Sequence, residues 1–336
     1  MDLQSRSWMS GAGDCQLLTN HGIEAILDLP GVGENLQDHL DCGVAYEAVD
    51  DLETPDNMVT QEPEADARQA MQEYATSRSG PLTSVGIENY AYLVILDRVS
   101  AESLGYKRLG KLLDDTALAA SDIRATALHS VVQKALLDPK EPSAVHMTMR
   151  SQNPHPVDLE WSPGSPTGPV PGKFVTLATV LSQPLSLGTT HIQSSNPADE
   201  LLVDPAYLSH PVDAEIFGAH MLQVEQIAAS EPLSSAFLKQ PLRRRDPASN
   251  FGGDLRAAER FARTSRMSMW HPVGTCAMLP LERRGVVDGE LRVHGVEGLR
   301  VVDASIMPLI CNANLQAIVY GVAERAAELI KETWGA

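Results

Sequence analysis

Residues 285–334 set the tightest limit on what this chain can fold into. "GVVDGELRVHGVEGLRVVDASIMP" reads as a hairpin-like pair of short elements and then a buried strand over Leu299–Val302, which runs into Asp303 and a turn at Pro308. "NANLQAIVYGVAERAAELIKETW" follows with Ile318, Val322, Ala326 and Leu329 at helical spacing, and with Asn312 or Asn314 where an N-cap stands. A strand that feeds a helix in this way requires a sheet for the one and a core for the other. It also leaves a helix N-terminus, with its partial positive charge, to face a bound group.

Upstream, strands and helices mix. "HGIEAILDLPGVGENLQDHL" (21–40) predicts a strand over Ile23–Leu27, stopped by Pro30 and followed by a turn at Gly31 and Gly33. The turn is not a dinucleotide loop: G-x-G-x-x-G needs a third glycine for close helix packing, Leu36 stands there, and the fingerprint occurs nowhere else in the chain. Residues 50–66 are acidic and proline-bearing, as in an exposed loop, and "ARQAMQEYATSRSGPLTS" predicts a helix ended by Gly80 and Pro81. Further helical pattern fills 101–140. "KFVTLATVLSQPLSLGTTHIQSS" (173–195) predicts two strands joined around Pro184 and Gly188. "HPVDAEIFGAHMLQVEQIAAS" (210–230) predicts a helix with Ile216, Met221, Val224 and Ile227 near one face. Regular strand-helix alternation is missing, so the class is mixed, α/β in the α+β sense, rather than an all-parallel sheet.

Composition narrows the functions. With 336 residues, 43% hydrophobic and 21% charged, the chain has room for one large domain or two packed ones. A net charge of −18 argues against a nucleic-acid partner, which calls for a Lys/Arg surface. No apolar run approaches the roughly 18 residues that span a bilayer. Cys15, Cys42, Cys276 and Cys311 form no C-x-x-C pair, and the histidines show no H-E-x-x-H or H-x-H spacing, so no metal site is indicated. "SMWHPVGTCAM" (268–278) isolates His271 between a tryptophan and a proline. By itself the histidine admits three roles: a core residue at a turn, a metal ligand, or an acid/base group.

Several separated words decide among them. "SGAGDCQLLTNHGIEAILDLPGVGENLQDHL", "GPLTS" (80–84), "WHPVGTCAM", and "GVVDGELRVHGVEGLRVVDASIMP" with "NANLQAIVYGVAERAAELI" resemble, in order and spacing, the glucose-methanol-choline (GMC) flavoprotein oxidoreductases. "PLSLGTTHIQSSNPADELLVDPAYLSHPVDAEIF" looks like that family's substrate-domain strands and following helix, with Leu187 where many members carry arginine. The likeness runs from Ser10 onward. Family members begin with a βαβ unit whose Gly-rich loop holds the ADP half of FAD. Here that region is not represented, so the expectation is a truncated chain that binds FAD poorly by itself, with any targeting signal in the region not represented.

The resemblance implies a remnant of an FAD-binding, Rossmann-like domain made of residues 1–40 and 271–336, and a substrate domain over 41–270 built on an antiparallel sheet with helices. It implies FAD-dependent oxidation of an alcohol, with oxygen or a quinone-like electron acceptor. His271 falls on the family's proton acceptor, a task that suits an imidazole titrating near working pH. Asn314 falls on the second catalytic position, where an amide can orient the substrate oxygen but cannot trade protons. Leu315 stands where proline is common in the family. Asp303 and Ala304 match positions near the flavin's ribityl and phosphate region, with Trp270 and Gln316 near its ring, and Asn35 and His39 are expected on the cofactor side. The competing readings are a non-redox or inactive relative that binds or cyclises a substrate, and a nicotinamide dehydrogenase, which the missing glycine fingerprint disfavours.

Overall fold

The computed structural model describes residues 10–56, 63–83, 86–95, 103–117, 123–152 and 170–335. The strands are β1 (Ala12–Gly13), β2 (Leu27–Asp28), β3 (Glu34–Leu36), β4 (Leu40–Glu47), β5 (Ile87–Leu93), β6 (Ala144–Met149), β7 (Phe174–Leu181), β8 (Gly188–His191), β9 (Leu202–Asp204) and β10 (Met267–Ser268). The helices are α1 (Cys15–Asn20), α2 (Pro63–Ser77), α3 (Leu104–Ala117), α4 (Ile123–Leu137), α5 (Pro211–Ala228), α6 (Leu233–Ala236), α7 (Leu255–Ser265) and α8 (Gln316–Trp334).

The largest sheet is antiparallel throughout, in the order β10-β4-β7-β6-β5. At its centre, β7 is buried along its whole length, as "FVTLATVL" requires of a strand covered on both faces. The two faces of the sheet differ in what covers them. Leu40, Cys42, Val44 and Tyr46 of β4 join Val175, Leu177 and Leu181 of β7 in a core packed by α3, α4, α5 and α7. Side chains alternate along a strand, so Val145, Met147, Ala178 and Val180 emerge on the other face and form a separate cluster with Met269. That second face borders the site described below.

A second core draws on both ends of the chain. Leu18, Leu29 and Val32 meet Cys276, Val286, Val287, Leu291, Val293, Val301, Ile306, Ala326 and Leu329, with Ile192 from just past β8. The three-stranded sheet β3-β8-β9 leans on this side, and Thr190 N–H adds a bond to Gly33 O at 2.7 Å. Many residues around this core remain in solvent: Ile26 is 76% exposed, Tyr320 66% and Trp334 77%.

Several expectations need correction. Leu299–Val302 is not a strand: Val301 is buried, but only an isolated Arg292–Arg300 bridge forms, and no ladder partner lies alongside among the described residues. Ile23–Leu27 shrinks to Leu27–Asp28, because its parallel partner β1 offers only Ala12 and Gly13. The helix expected from Ala67 begins at Pro63, where a proline in the first turn loses no hydrogen bond, so part of the acidic stretch is helical. The two strands expected over 173–195 both form, as β7 and β8, and they belong to different sheets. In α8, Ala326 and Leu329 are buried and Val322 packs beside them, while Ile318 is 39% exposed. Residues 1–9 and Ser84 of the "GPLTS" word lie outside the described residues.

Candidate active site

His271 sits just past β10, in a segment whose neighbours alternate between two cavities. His271 and Met269 line a pocket of about 290 Å³. Ser268, Trp270 and Pro272 face a cleft of about 500 Å³. Trp270 takes a left-handed backbone (φ 56°), which turns its ring outward to 80% exposure. Asp38 pins this bend: its Oδ1 accepts the His271 backbone N–H at 2.9 Å, and its Oδ2 accepts Tyr207 Oη–H at 2.6 Å and Ser268 Oγ–H at 2.5 Å. Gly274 follows with φ 97°, so close to Asn35 that a Cβ there would lie 2.3 Å from Asn35 O. Only glycine fits that approach.

The smaller pocket has a polar end and an apolar wall. His271, His39, Ser182, Asn312 and Asn314 provide the polar end. The wall is the second face of the main sheet, where register places Tyr92 beside Val145 and Val180, and Tyr90 beside Met147. No Asp, Glu, Lys or Arg lines the pocket among the described residues. Ser182 Oγ and Asn312 Oδ1 have no hydrogen-bond partner among those residues. Asn314 Oδ1 accepts the N–H of Gln316 at 3.2 Å and so caps α8 from outside, leaving its Nδ2 as the donor that can turn to the pocket. The His271 ring is held below the ordinary histidine pKa by burial, with the Asp38 carboxylate opposing the shift. His39 is buried beside it, with 2.9 Å between the two Nδ1 atoms and 3.0 Å from His39 Nε2 to Ser182 O.

The remaining expected residues divide. Trp270, Asp303 and Ala304 line the larger cleft together, with Ser305, Thr275 and Tyr207. Asp303 also accepts Ser305 N–H at 2.8 Å and so caps the short turn at Ala304–Ile306. Asn35 lines neither cavity: it is 1% exposed, and its Nδ2 donates to Gly274 O and Pro308 O, both at 3.2 Å, tying the two ends of the chain together. Gln316 is exposed at the start of α8 and lines neither. Asp38, Ser182, Tyr90, Tyr92 and Met147 were not singled out from the sequence. For Asp38 the signal was present in "QDH", an acidic residue directly before a histidine; the pocket-wall residues carried none, because they look like any half-buried strand.

The larger cleft fits a flavin cofactor in its donor set. Ser305 Oγ is buried there without a partner among the described residues, and an exposed tryptophan ring stands at the rim. Among the described residues no group of three or more His, Cys, Asp or Glu side chains is arranged to hold a metal ion.

Comparison with known proteins agrees with this architecture. Residues 184–323 match the sequence profile of the GMC oxidoreductases. The chain is 31% identical to the dehydrogenase mpl7 of Monascus purpureus, covering 97% of this chain and 52% of that protein. It is 28% identical to the GMC oxidoreductase family protein Mala s 12 of Malassezia sympodialis, over 96% of this chain and 46% of the relative. Among solved structures, a fungal aryl-alcohol oxidase superposes with a TM-score of 0.74 at 28% identity, over 98% of this chain and 52% of the other. An FAD-dependent oxidoreductase of Chaetomium thermophilum shares the fold, with a TM-score of 0.76 at 24% identity, over 97% of this chain and 53% of the other. The chain thus spans about half the length of the relatives it matches, and it belongs to the GMC oxidoreductase family, corresponding to a C-terminal portion of it.

Proposed function

We propose that the protein of which this chain forms at least a part oxidises the CH–OH group of an uncharged alcohol with an apolar body, with FAD as cofactor and His271 as proton acceptor. The observation that carries the reading is that His271 and Asn314, 43 positions apart in "WHPVGT" and "NANLQ", line one pocket beside a cleft with flavin-compatible residues. Bound FAD supplies the two-electron acceptor for the hydride that leaves the alcohol carbon. His271 takes the hydroxyl proton, for which its depressed pKa keeps it neutral and ready at pH 7. Asn314 Nδ2 donates to the substrate oxygen and sets its direction, a task of orientation rather than proton transfer. Trp270, Thr275, Asp303, Ala304 and Ser305 would hold the cofactor; Asn35 supports them by fixing the Gly274 turn.

The pocket wall favours the substrate class. A sugar would leave several hydroxyls against Val145, Met147, Val180 and Met269, each unmet donor or acceptor costing about 1–3 kcal/mol, whereas an apolar or aromatic alcohol loses nothing there. We further propose the division into a cofactor part (1–40 and 271–336) and a substrate part (41–270), supported by the two cores, one from residues 40–262 and the other mainly from both chain ends. Oxygen or a quinone-like compound would reoxidise the flavin. The test is anaerobic bleaching of bound flavin by a panel of alcohols. Bleaching by benzylic or alkyl alcohols and not by glucose or choline supports the reading, while bleaching by glucose alone would refute the substrate class.

A further inference from the structure

We propose that His39 is a positioning residue that fixes which nitrogen of His271 carries the proton, leaving Nε2 as the bare, proton-accepting atom; this rests on the reading of His271 as the proton acceptor. His39 follows Asp38 in the short link between β3 and β4, is 3% exposed, and meets the His271 ring edge-on, with 5.2 Å between ring centroids and 79° between planes. Its two nitrogens have different neighbours, and that asymmetry decides the tautomers.

His39 Nε2 lies 3.0 Å from the Ser182 carbonyl oxygen, which can only accept, so the bond requires a proton on Nε2. A second proton on Nδ1 would make the ring a cation. Burial opposes that strongly, with the neighbouring His271 acting in the same direction; the Ser182 carbonyl, the Asp38 carboxylate and the Cys311 carbonyl pull the other way without overcoming it, and the His39 pKa falls to about 4. The ring is therefore neutral at pH 7, and its Nδ1 offers a lone pair. The 2.9 Å contact between the two Nδ1 atoms then forms only if His271 donates from Nδ1–H. A neutral imidazole has one N–H, so His271 Nε2 is left with a lone pair. In the opposite tautomer two lone pairs would face each other across the same contact. Adjacent residues thus divide the work on one histidine: Asp38 holds its backbone N–H and His39 its ring.

The arrangement makes glutamine the informative replacement. In His39→Gln the new side-chain amide can donate Nε2–H to Ser182 O and accept from His271 Nδ1–H on Oε1, reproducing both bonds, whereas phenylalanine fills the space and makes neither. The experiment is a long-range proton-nitrogen correlation of the imidazole rings in the ¹⁵N-labelled chain at about pH 7.5, where both rings are neutral. The wild type is expected to show Nε2–H on His39 and Nδ1–H on His271. His39→Gln should keep Nδ1–H on His271. His39→Phe should lower the ratio of Nδ1–H to Nε2–H on His271 by about fivefold, the factor one net hydrogen bond represents. A wild-type His39 carrying Nδ1–H, or a His271 tautomer ratio unchanged in His39→Phe, would overturn the proposal. If the phenylalanine variant does not fold, the wild-type spectrum alone decides. The spectra do not depend on turnover, so a correct tautomer pattern in a protein whose His271 is dispensable for flavin reduction would locate the failure in the proton-acceptor reading instead.

Discussion

Asp38→Ala should be one of the most damaging single changes near the site, where Asp38 lines the larger cleft but not the pocket of His271. The carboxylate accepts three hydrogen bonds, from His271 N, Tyr207 Oη and Ser268 Oγ. A bond to a charged group contributes about 1.5–3 kcal/mol, and three on one residue do not add fully. Two of the donors are hydroxyls in a part-buried setting that recover some hydration; the His271 N–H sits in a bend with a left-handed residue before it and recovers less. The expected destabilisation is about 3–5 kcal/mol, or a fall in melting temperature of roughly 4–7 °C for a chain of this size. Asp38→Asn discriminates this account from mere burial of a polar residue. Its Oδ1 can still accept from His271 N, and its Nδ2 can donate to the two hydroxyl oxygens, which accept as readily as they donate. The asparagine variant should lose less than about 2 kcal/mol. Thermal and urea melts of the three proteins decide it: an alanine variant within about 1 kcal/mol of wild type, or an asparagine variant as damaged as alanine, would refute the clamp.

Two further outcomes follow from the same geometry. Gly274→Ala should cost about 3 kcal/mol, since φ 97° is strained for any other residue and its Cβ would lie 2.3 Å from Asn35 O; an unaltered urea midpoint would contradict that. Acid should weaken the fold before most of the carboxylates protonate. His39 and His146 are each held down to about 4 by burial, so between pH 6.5 and 4 the unfolded chain binds protons that the native one refuses, and stability present above pH 6.5 is lost as pH falls. Each ring contributes about 2 kcal/mol of loss by pH 5, partly offset by Asp213, whose carboxyl burial raises to about 6 and whose protonation favours the native state. A urea midpoint at pH 5 equal to that at pH 7 would refute this balance.

Local pattern carried a good part of the architecture. The burial of β7 follows from "FVTLATVL", and the helix α5 from apolar spacing that begins at His210, whose side chain accepts Val212 N–H at its start. Leu299–Val302 failed because a strand is a relation between segments, and its apolar run says nothing about whether a neighbour is there to pair. That β7 and β8 belong to two different sheets was not legible either, for the same reason. In the site, the word "WHPVGT" and the residues before α8 pointed to His271 and Asn314, which line one pocket. What could not be read was the link from His271 to Asp38 and His39, more than 230 positions away, because adjacency in space leaves no spacing to detect. The pocket wall was hidden in another way: Tyr90, Met147 and Val180 face it only because strand pairing puts them on the side of the sheet away from the helices.

The central claim is that His271 accepts the substrate proton, and the measurement that tests it most directly is the anaerobic rate of flavin reduction in His271→Ala. It is made in protein carrying FAD, bound by this chain alone or with the Gly-rich N-terminal unit that the family resemblance implies. Rapid mixing separates the chemical step from reoxidation. The account predicts a fall of roughly 10² to 10⁴, the usual effect of losing a general base, with FAD still bound and with Asn314→Ala doing less. Reduction at the wild-type rate in His271→Ala would show that this histidine only shapes the turn between the two cavities, and would contradict the account.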